Sequence, residues 1–322
     1  MLFHLHKKPS ELHIVHLNQV QEKHQQALQK VLKTGSANKK CCFKSLCKKK
    51  TAKADDKTSE NSEQTVFVLD FDGDIKASAV DQFREEITAV IAIAKAGDEV
   101  VVRLESGGGQ VNSYGLAAAQ LARIKEAGLS LTVTVDKVAA SGGYMMACVA
   151  DKVLASDFAI VGSVGVISQL PNFHELLKKH DIAFETFTAG EYKRTVTMFG
   201  ENDDKDRAKH QEDIDRIHEL FKTFVKKHRP GLDVEKIATG EFWFGTDALA
   251  LGLVDEIGTS DAYILSLMKS HQVFALNTRT KPTLAEKLGL SEQLSAGVQK
   301  LAQLGADSVI QLGQKIKTPR VY

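Results

Sequence analysis

From Thr65 onward, short apolar runs alternate with longer stretches in which apolar residues recur every three or four positions. The run TVFVLDF (65–71) is β-branched and aromatic and closes on Asp72-Gly73, the pattern of a strand. SAVDQFREEITAVIAIAKAG (78–97) begins at a capping-type Ser78 and carries Phe83, Ile87, Val90 and Ile91 at helical spacing. It stops at Gly97, so a helix is expected. EVVVRLES, GLAAAQLARIKEAG and LSLTVTVD then read as strand, helix and strand. Strands separated by helix-length segments pair in parallel, and the pattern predicts an α/β fold.

The ends of the chain read differently. Leu17, Val20, His24, Leu28 and Val31 fall at spacings of three and four, which predicts a short amphipathic helix. SANKKCCFKSLCKKKTAKADDKTSENSEQ (36–64) has almost nothing to bury and reads as a linker. At the other end Leu294, Val298, Leu301, Leu304, Val309 and Leu312 recur near helical spacing, weakened by Gly297, Gly305 and Gly313. The expected organisation is a basic helix and linker over 1–64, a folded domain over 65–275, and an amphipathic tail over 276–322.

Composition, 43% hydrophobic and 26% charged, excludes a wholly disordered chain and a polytopic membrane protein. The net charge of +1 hides an asymmetry, because residues 1–64 hold 13 lysines against six acids. No window reaches the roughly eighteen apolar residues a spanning helix needs. Cys41, Cys42 and Cys47 lack a fourth ligand at zinc spacing and read as free thiols, and Cys148 reads as a small core residue.

Two glycine-rich turns, ESGGGQ (105–110) and AASGGY (139–144), each stand between a strand and a helix. Backbone amides at such turns bind anions, but neither G-x-x-x-x-G-K-[ST] nor G-x-G-x-x-G is present, so a nucleotide site is the minor reading. Acyl transfer is the other: Ser141 heads a helix as a nucleophile, and the Gly142 amide follows it as an oxyanion donor. A base is still needed. His174, His180, His210, His218 and His228 lie in charged, surface-type helices, and AASGG lacks the leading glycine of a hydrolase elbow. Lys193, between Tyr192 and the apolar Val196, Met198 and Phe199, is the alternative: a free lysine has a pKa near 10.4, and burial lowers it by several units. Taken alone, a snorkelling surface lysine beside Arg194 remains open.

The ordered motifs LESGGG, VAASGGYMMA, IVGSVGV, TAGEYKR and ATGEFWFGTDALALGLVDEIG together resemble the signal peptide peptidase A family, most closely its SohB-type branch of inner-membrane proteases. The likeness runs from about residue 65 to about 267. It implies a ClpP/crotonase-like fold of repeated ββα units, here with helical N- and C-terminal extensions, and a Ser–Lys serine endopeptidase that needs no metal or cofactor. Matched residue by residue, it implies Ser141 as nucleophile, Lys193 as general base, Gly108 and Gly142 as oxyanion amides, and Ser163 as a hydroxyl orienting the lysine. The implied partners are peptides from signal sequences or membrane proteins, a membrane surface and further copies of the chain, with no nucleic acid.

This chain departs from the family in two places. Ser106-Gly107-Gly108-Gly109 replaces the usual S-P-G-G, which loosens the turn, and the chain is expected to begin where the N-terminal membrane helix of SohB-type members would have ended. The expected location is therefore the bacterial inner membrane, peripheral or through an anchor missing from this chain. Two other readings stay open: a non-catalytic peptide-binding or scaffold relative, and a crotonase-type acyl-CoA enzyme, which shares the oxyanion glycines but has no use for a Ser–Lys pair.

Overall fold

The computed structural model describes residues 10–35 and 64–280. Two compact units divide the chain: one spans His13–Asn277, and the other comprises Met1–Leu12 with Thr278–Tyr322, of which only the ends of two strands are described. The first unit has a mixed α/β architecture. It begins with β1 (Ser10–His16), α1 (Leu17–Gly35), β2 (Thr65–Gly73), α2 (Val80–Ile93), β3 (Glu99–Ser106) and α3 (Val111–Glu126). There follow β4 (Ser130–Val135), β5 (Val138–Ala140), α4 (Gly142–Ala147), β6 (Lys152–Ala155), β7 (Ile160–Gly162), α5 (His174–Lys179) and α6 (Asp204–His228). The last elements are α7 (Val234–Ile237), β8 (Phe242–Phe244), α8 (Gly245–Ala250), β9 (Glu256–Ile257), α9 (Ser260–Leu267) and β10 (Gln272–Thr280).

Strands β10, β2, β3, β4, β6 and β9 lie side by side and all pair in parallel, as the alternation predicts. The run TVFVLDF is apolar on both faces because both are covered. Phe67, Leu69 and Phe71 join the main core with Phe83 and Ile87 of α2 and Leu121 of α3. Val66 and Val68 join a second core with Val101, Val273 and Ile264 of α9.

Several local expectations are corrected. Ser78 does not cap α2: its N–H and hydroxyl both donate to the Asp74 carboxylate at 2.8 Å, tying off the turn before the helix. α2 ends at Ile93, ahead of Gly97. Residues 183–203, which carry Lys193, contain no helix or strand. At the N-terminus, composition sets a boundary at residue 64, yet β1 from His13 onward and the head of α1 belong to the sheet's unit. The Asn18 side-chain amide donates to the carbonyls of Met268 and His271, and its oxygen accepts from Val273 N–H at 2.9 Å. No described helix is long and apolar enough to cross a membrane. Cys41, Cys42, Cys47, all of the linker but Gln64, and the tail helix lie outside the described residues.

Cys148, following α4, is fully buried, and burial pushes its thiol up to about 12. The protonated form is favoured in the fold. Its contribution to stability is thus complete below the unfolded value near 9 and is lost as pH rises from there toward 12. With Cys41, Cys42 and Cys47 replaced by serine, iodoacetamide at pH 8.5 is expected to label Cys148 no faster than the protein unfolds. Labelling of the native state within minutes contradicts this.

Candidate active site

Short strand β5 brings the chemistry together. Its Ala139 pairs with Ser106 at the end of β3, and its Ala140 pairs with Gly162 at the end of β7. Three motifs that are far apart in the chain thereby become neighbours: ESGGG, AASGG and VGSVG. β8 adds a fourth by pairing antiparallel with β7.

Ser141 follows β5 and heads α4. Its backbone lies at φ 52°, ψ −117°, the first central position of a type II′ turn, where glycine is the preferred residue. A serine there costs about 1–3 kcal/mol, so the surroundings have to hold it. They do: Ser141 N–H donates to the Gly162 carbonyl at 2.8 Å, and its own carbonyl accepts from Met145 N–H at 2.9 Å. Helix α4 is buried throughout and is anchored by the Tyr144 hydroxyl, which donates to the Leu253 carbonyl at 3.0 Å. The result is a half-buried hydroxyl on a rigid mount.

Gly108 and Gly142 meet at this serine. A Cβ added to Gly108, at φ +87°, lies 2.6 Å from Gly142 N and 2.8 Å from Ser141 Cβ, so only glycine passes this close. Gly142 is backed by a ring, since a Cβ there falls 2.4 Å from Tyr114 Cγ.

Beside Ser141 opens a small cavity of about 90 Å³. Met145, Val166, Ile217 and Phe221 give it apolar walls, and Ser141 and Gly142 stand at its edge. Ile217 and Phe221 belong to α6 and do not figure in the sequence reading, which weighs that helix only for its histidines. The recurrence of Ile214, Ile217, Phe221 and Val225 at spacings of three and four is the signal that marks this inward face. A larger cavity of about 800 Å³, with Ile14, Phe67, Lys95 and Phe274 in its wall, lies away from these motifs, and size alone does not make it the reactive centre.

The remaining candidates are placed as follows. Ser163 also has a positive φ, 52°, with its N–H on the Glu241 carbonyl at 2.7 Å and its hydroxyl on the Gly240 carbonyl at 3.4 Å. Lys193 is exposed, against the expected burial. Its neighbours face α6: Glu191 pairs with Lys205 at 2.7 Å, and the Tyr192 ring lies under the Lys205 and Lys209 ammoniums. Lys193 is thereby left on the open side of a segment with little apolar cover, and it does not line the Ser141 cavity. Among the described residues, no histidine or carboxylate lines that cavity either, and His210 Nε2 instead meets Ser168 Oγ at 2.9 Å.

Residues 123–274 match the family described as Peptidase family S49, and residues 3–121 match Peptidase family S49 N-terminal. The chain is similar to "Probable protease SohB" of Haemophilus influenzae, 57% identical over 231 residues, covering 72% of this chain and 65% of that protein. It is similar to the protein of the same name from Buchnera aphidicola subsp. Acyrthosiphon pisum, 50% identical over 232 residues, covering 72% and 69%. "Protease 4" of Haemophilus influenzae is 30% identical over 162 residues, covering 50% and 26%. The match to the Haemophilus SohB protein thus falls short of two thirds of that relative's length. The motifs gathered at Ser141 and these matches agree, and the chain belongs to peptidase family S49, in its SohB-type branch.

Proposed function

We propose that this chain is a serine endopeptidase in which Ser141 attacks the peptide carbonyl, Gly108 and Gly142 amides hold the oxyanion, and Lys193 is the general base. The observation that carries the reading is Ser141 itself: a strained serine, rigidly mounted against two glycines, at the edge of a small apolar cavity. The Ser141 proton passes to a neutral Lys193 amine as the Oγ–carbon bond forms. The ammonium then gives that proton to the leaving amine, and water releases the acyl-enzyme by the same route in reverse.

Neutrality requires that the Lys193 amine be desolvated. In the single chain it is exposed, so burial has to come from outside. Assembly of several copies meets this need, because the segment carrying Lys193 also exposes Ile167 (78%), Ile182 (53%) and Phe187 (90%). Ser163 orients that amine. The succession of two strands and a helix, β4, β5 and α4, supports the ClpP/crotonase-like reading of repeated ββα turns. The lysine-rich first 64 residues support work at an anionic membrane face, on peptides from signal sequences or membrane proteins.

The cavity sets the side chain before the cut: about 90 Å³ admits small apolar side chains and excludes aromatic ones. Phe221→Ala is expected to shift cleavage toward Leu, Met and Phe by about 10-fold in kcat/KM relative to Ala, read on peptides varied at that one position. An unchanged preference removes α6 from the specificity site.

The test of the whole reading is cleavage of a peptide library by the full chain beside Ser141→Ala, with labelling by a fluorophosphonate probe. Cleavage and labelling that both vanish in the variant support it. A wild-type chain that neither cleaves nor labels overturns it and favours a non-catalytic peptide-binding relative.

A further inference from the structure

Helix α6 walls the Ser141 cavity through Ile217 and Phe221, yet the core holds it by few residues. Of its 25 residues, Phe221 and Val225 are the buried ones. The next position on that face, four residues on, is Arg229, just past the helix end. Its Nη1 donates to Asp255 Oδ2 at 2.7 Å, and its Nη2 donates to Asp255 Oδ1 at 2.9 Å and to the Gly252 carbonyl at 2.8 Å. This is a planar fork that meets a carboxylate and a carbonyl at once, which the single point charge of a lysine does not reproduce. The Arg229 side chain is 12% exposed, so the guanidinium is largely shielded from water.

The segment 252–255 that receives Arg229 is itself fixed on two other sides. Asp255 Oδ2 also accepts from Val153 N–H at 2.8 Å, and Asp255 N–H donates to the Val153 carbonyl at 2.8 Å, which ties the segment to β6. Between Gly252 and Asp255, the Leu253 carbonyl accepts the Tyr144 hydroxyl of α4. Met145, the next residue of α4, is another wall of the cavity. Two walls therefore hang from one short segment, α4 through Tyr144 and α6 through Arg229. Ser141 has a separate support, because its N–H donates to the Gly162 carbonyl at the end of β7.

We propose that Arg229, held by Asp255, is a positioning residue for substrate selection: it pins α6 to the segment that also carries α4, and so fixes the width of the cavity that receives the side chain before the cut. The inference rests on the serine-peptidase reading above. In a cavity of about 90 Å³ a single methylene decides between fit and clash, so a small outward movement of α6 admits larger side chains. The reactivity of the Ser141 hydroxyl does not depend on that width.

The experiment uses the full chain with Arg229→Gln and Arg229→Lys. Val273→Ala, in the second core, serves as a control that lowers stability away from the cavity. Three quantities are read: kcat/KM on peptides with Ala, Val, Leu or Met before the cut, the rate of Ser141 labelling by a fluorophosphonate that places no side chain in the cavity, and the melting temperature. Arg229→Gln is expected to raise the preference for Leu over Ala by about 5-fold. Arg229→Lys, which keeps the charge and loses the fork, raises it by about 2-fold. Labelling stays within about twofold of the wild type in both, because only selection has changed. Val273→Ala melts lower and keeps the wild-type preference.

An unchanged preference in Arg229→Gln overturns the proposal. So does labelling that falls in step with the cleavage of every peptide, or a Val273→Ala protein whose preference shifts as far. If Arg229→Gln fails to fold, Arg229→Lys carries the same measurements with its smaller shift. A wild-type chain that neither cleaves peptides nor labels at Ser141 fails at the parent reading, and the proposal falls with it. A wild type that does both, beside an Arg229→Gln protein of the same preference, removes this proposal alone.

Discussion

Ser141→Gly is expected to lose at least about 10⁴-fold in peptide turnover while melting above the wild type. The two effects come from one geometry. At φ 52°, ψ −117° a serine carries strain of about 1–3 kcal/mol, which glycine relieves. Glycine returns about 0.5–1 kcal/mol through the greater freedom of its unfolded chain, so the net gain is about 1 kcal/mol. For a chain of this size that raises the melting temperature by about 1–2 °C. Ser141→Ala loses the same activity but keeps the strain, and separates the two terms. Calorimetry beside a peptide assay reads both. Turnover like the wild type in either variant removes Ser141 as nucleophile, and a Ser141→Gly protein less stable than Ser141→Ala removes the strain argument.

Gly108→Ala is expected to lower kcat by about 10²- to 10³-fold, the range for loss of one oxyanion donor. At φ +87° an alanine is already disfavoured, and its methyl lies 2.6 Å from Gly142 N and 2.8 Å from the Ala140 carbonyl. Both neighbours are backbone in a packed strand and helix start, so they cannot give way as a flexible side chain would. The turn has to move, and its amide moves with it. Gly107→Ala is the control: with open space around its Cβ, turnover is expected to stay within a few-fold of wild type. If Gly108→Ala retains full kcat, or Gly107→Ala loses as much, the donor has been assigned to the wrong glycine.

The two substitutions differ in what they report. Ser141 tests the chemistry, whereas Gly108 tests the placement of a backbone group that no side-chain deletion reaches. The strain at Ser141 and the crowding at Gly108 follow from the same crossing of β3, β5 and α4. A chain selected for stability alone has no reason to place serine in a glycine conformation, and this is the physical ground for treating the site as functional.

Much of this was legible along the chain. The period of apolar residues marked β2, α2, β3, α3 and β4 because a strand buried on both faces and a helix buried on one leave different spacings. Gly-rich turns at strand ends located ESGGG and AASGG, since glycine accepts the positive φ of position 108 and the close approaches at 108, 142 and 143. The motif order carried the family. What spacing could not convey was contact between distant segments. That β5 lies between Ser106 and Gly162, that Asn18 ties α1 to the last strand, and that Ile217 and Phe221 wall the cavity are all consequences of register and packing. Lys193 shows the limit most plainly: apolar neighbours in sequence promised burial, but Tyr192 turns toward α6 and the lysine is left in the open. The sequence by itself determined which residue types stand ready for acyl transfer and in what order. Only the tertiary structure decided which of them meet, because side-chain proximity depends on long-range strand register and helix packing, neither of which leaves a local pattern in the chain.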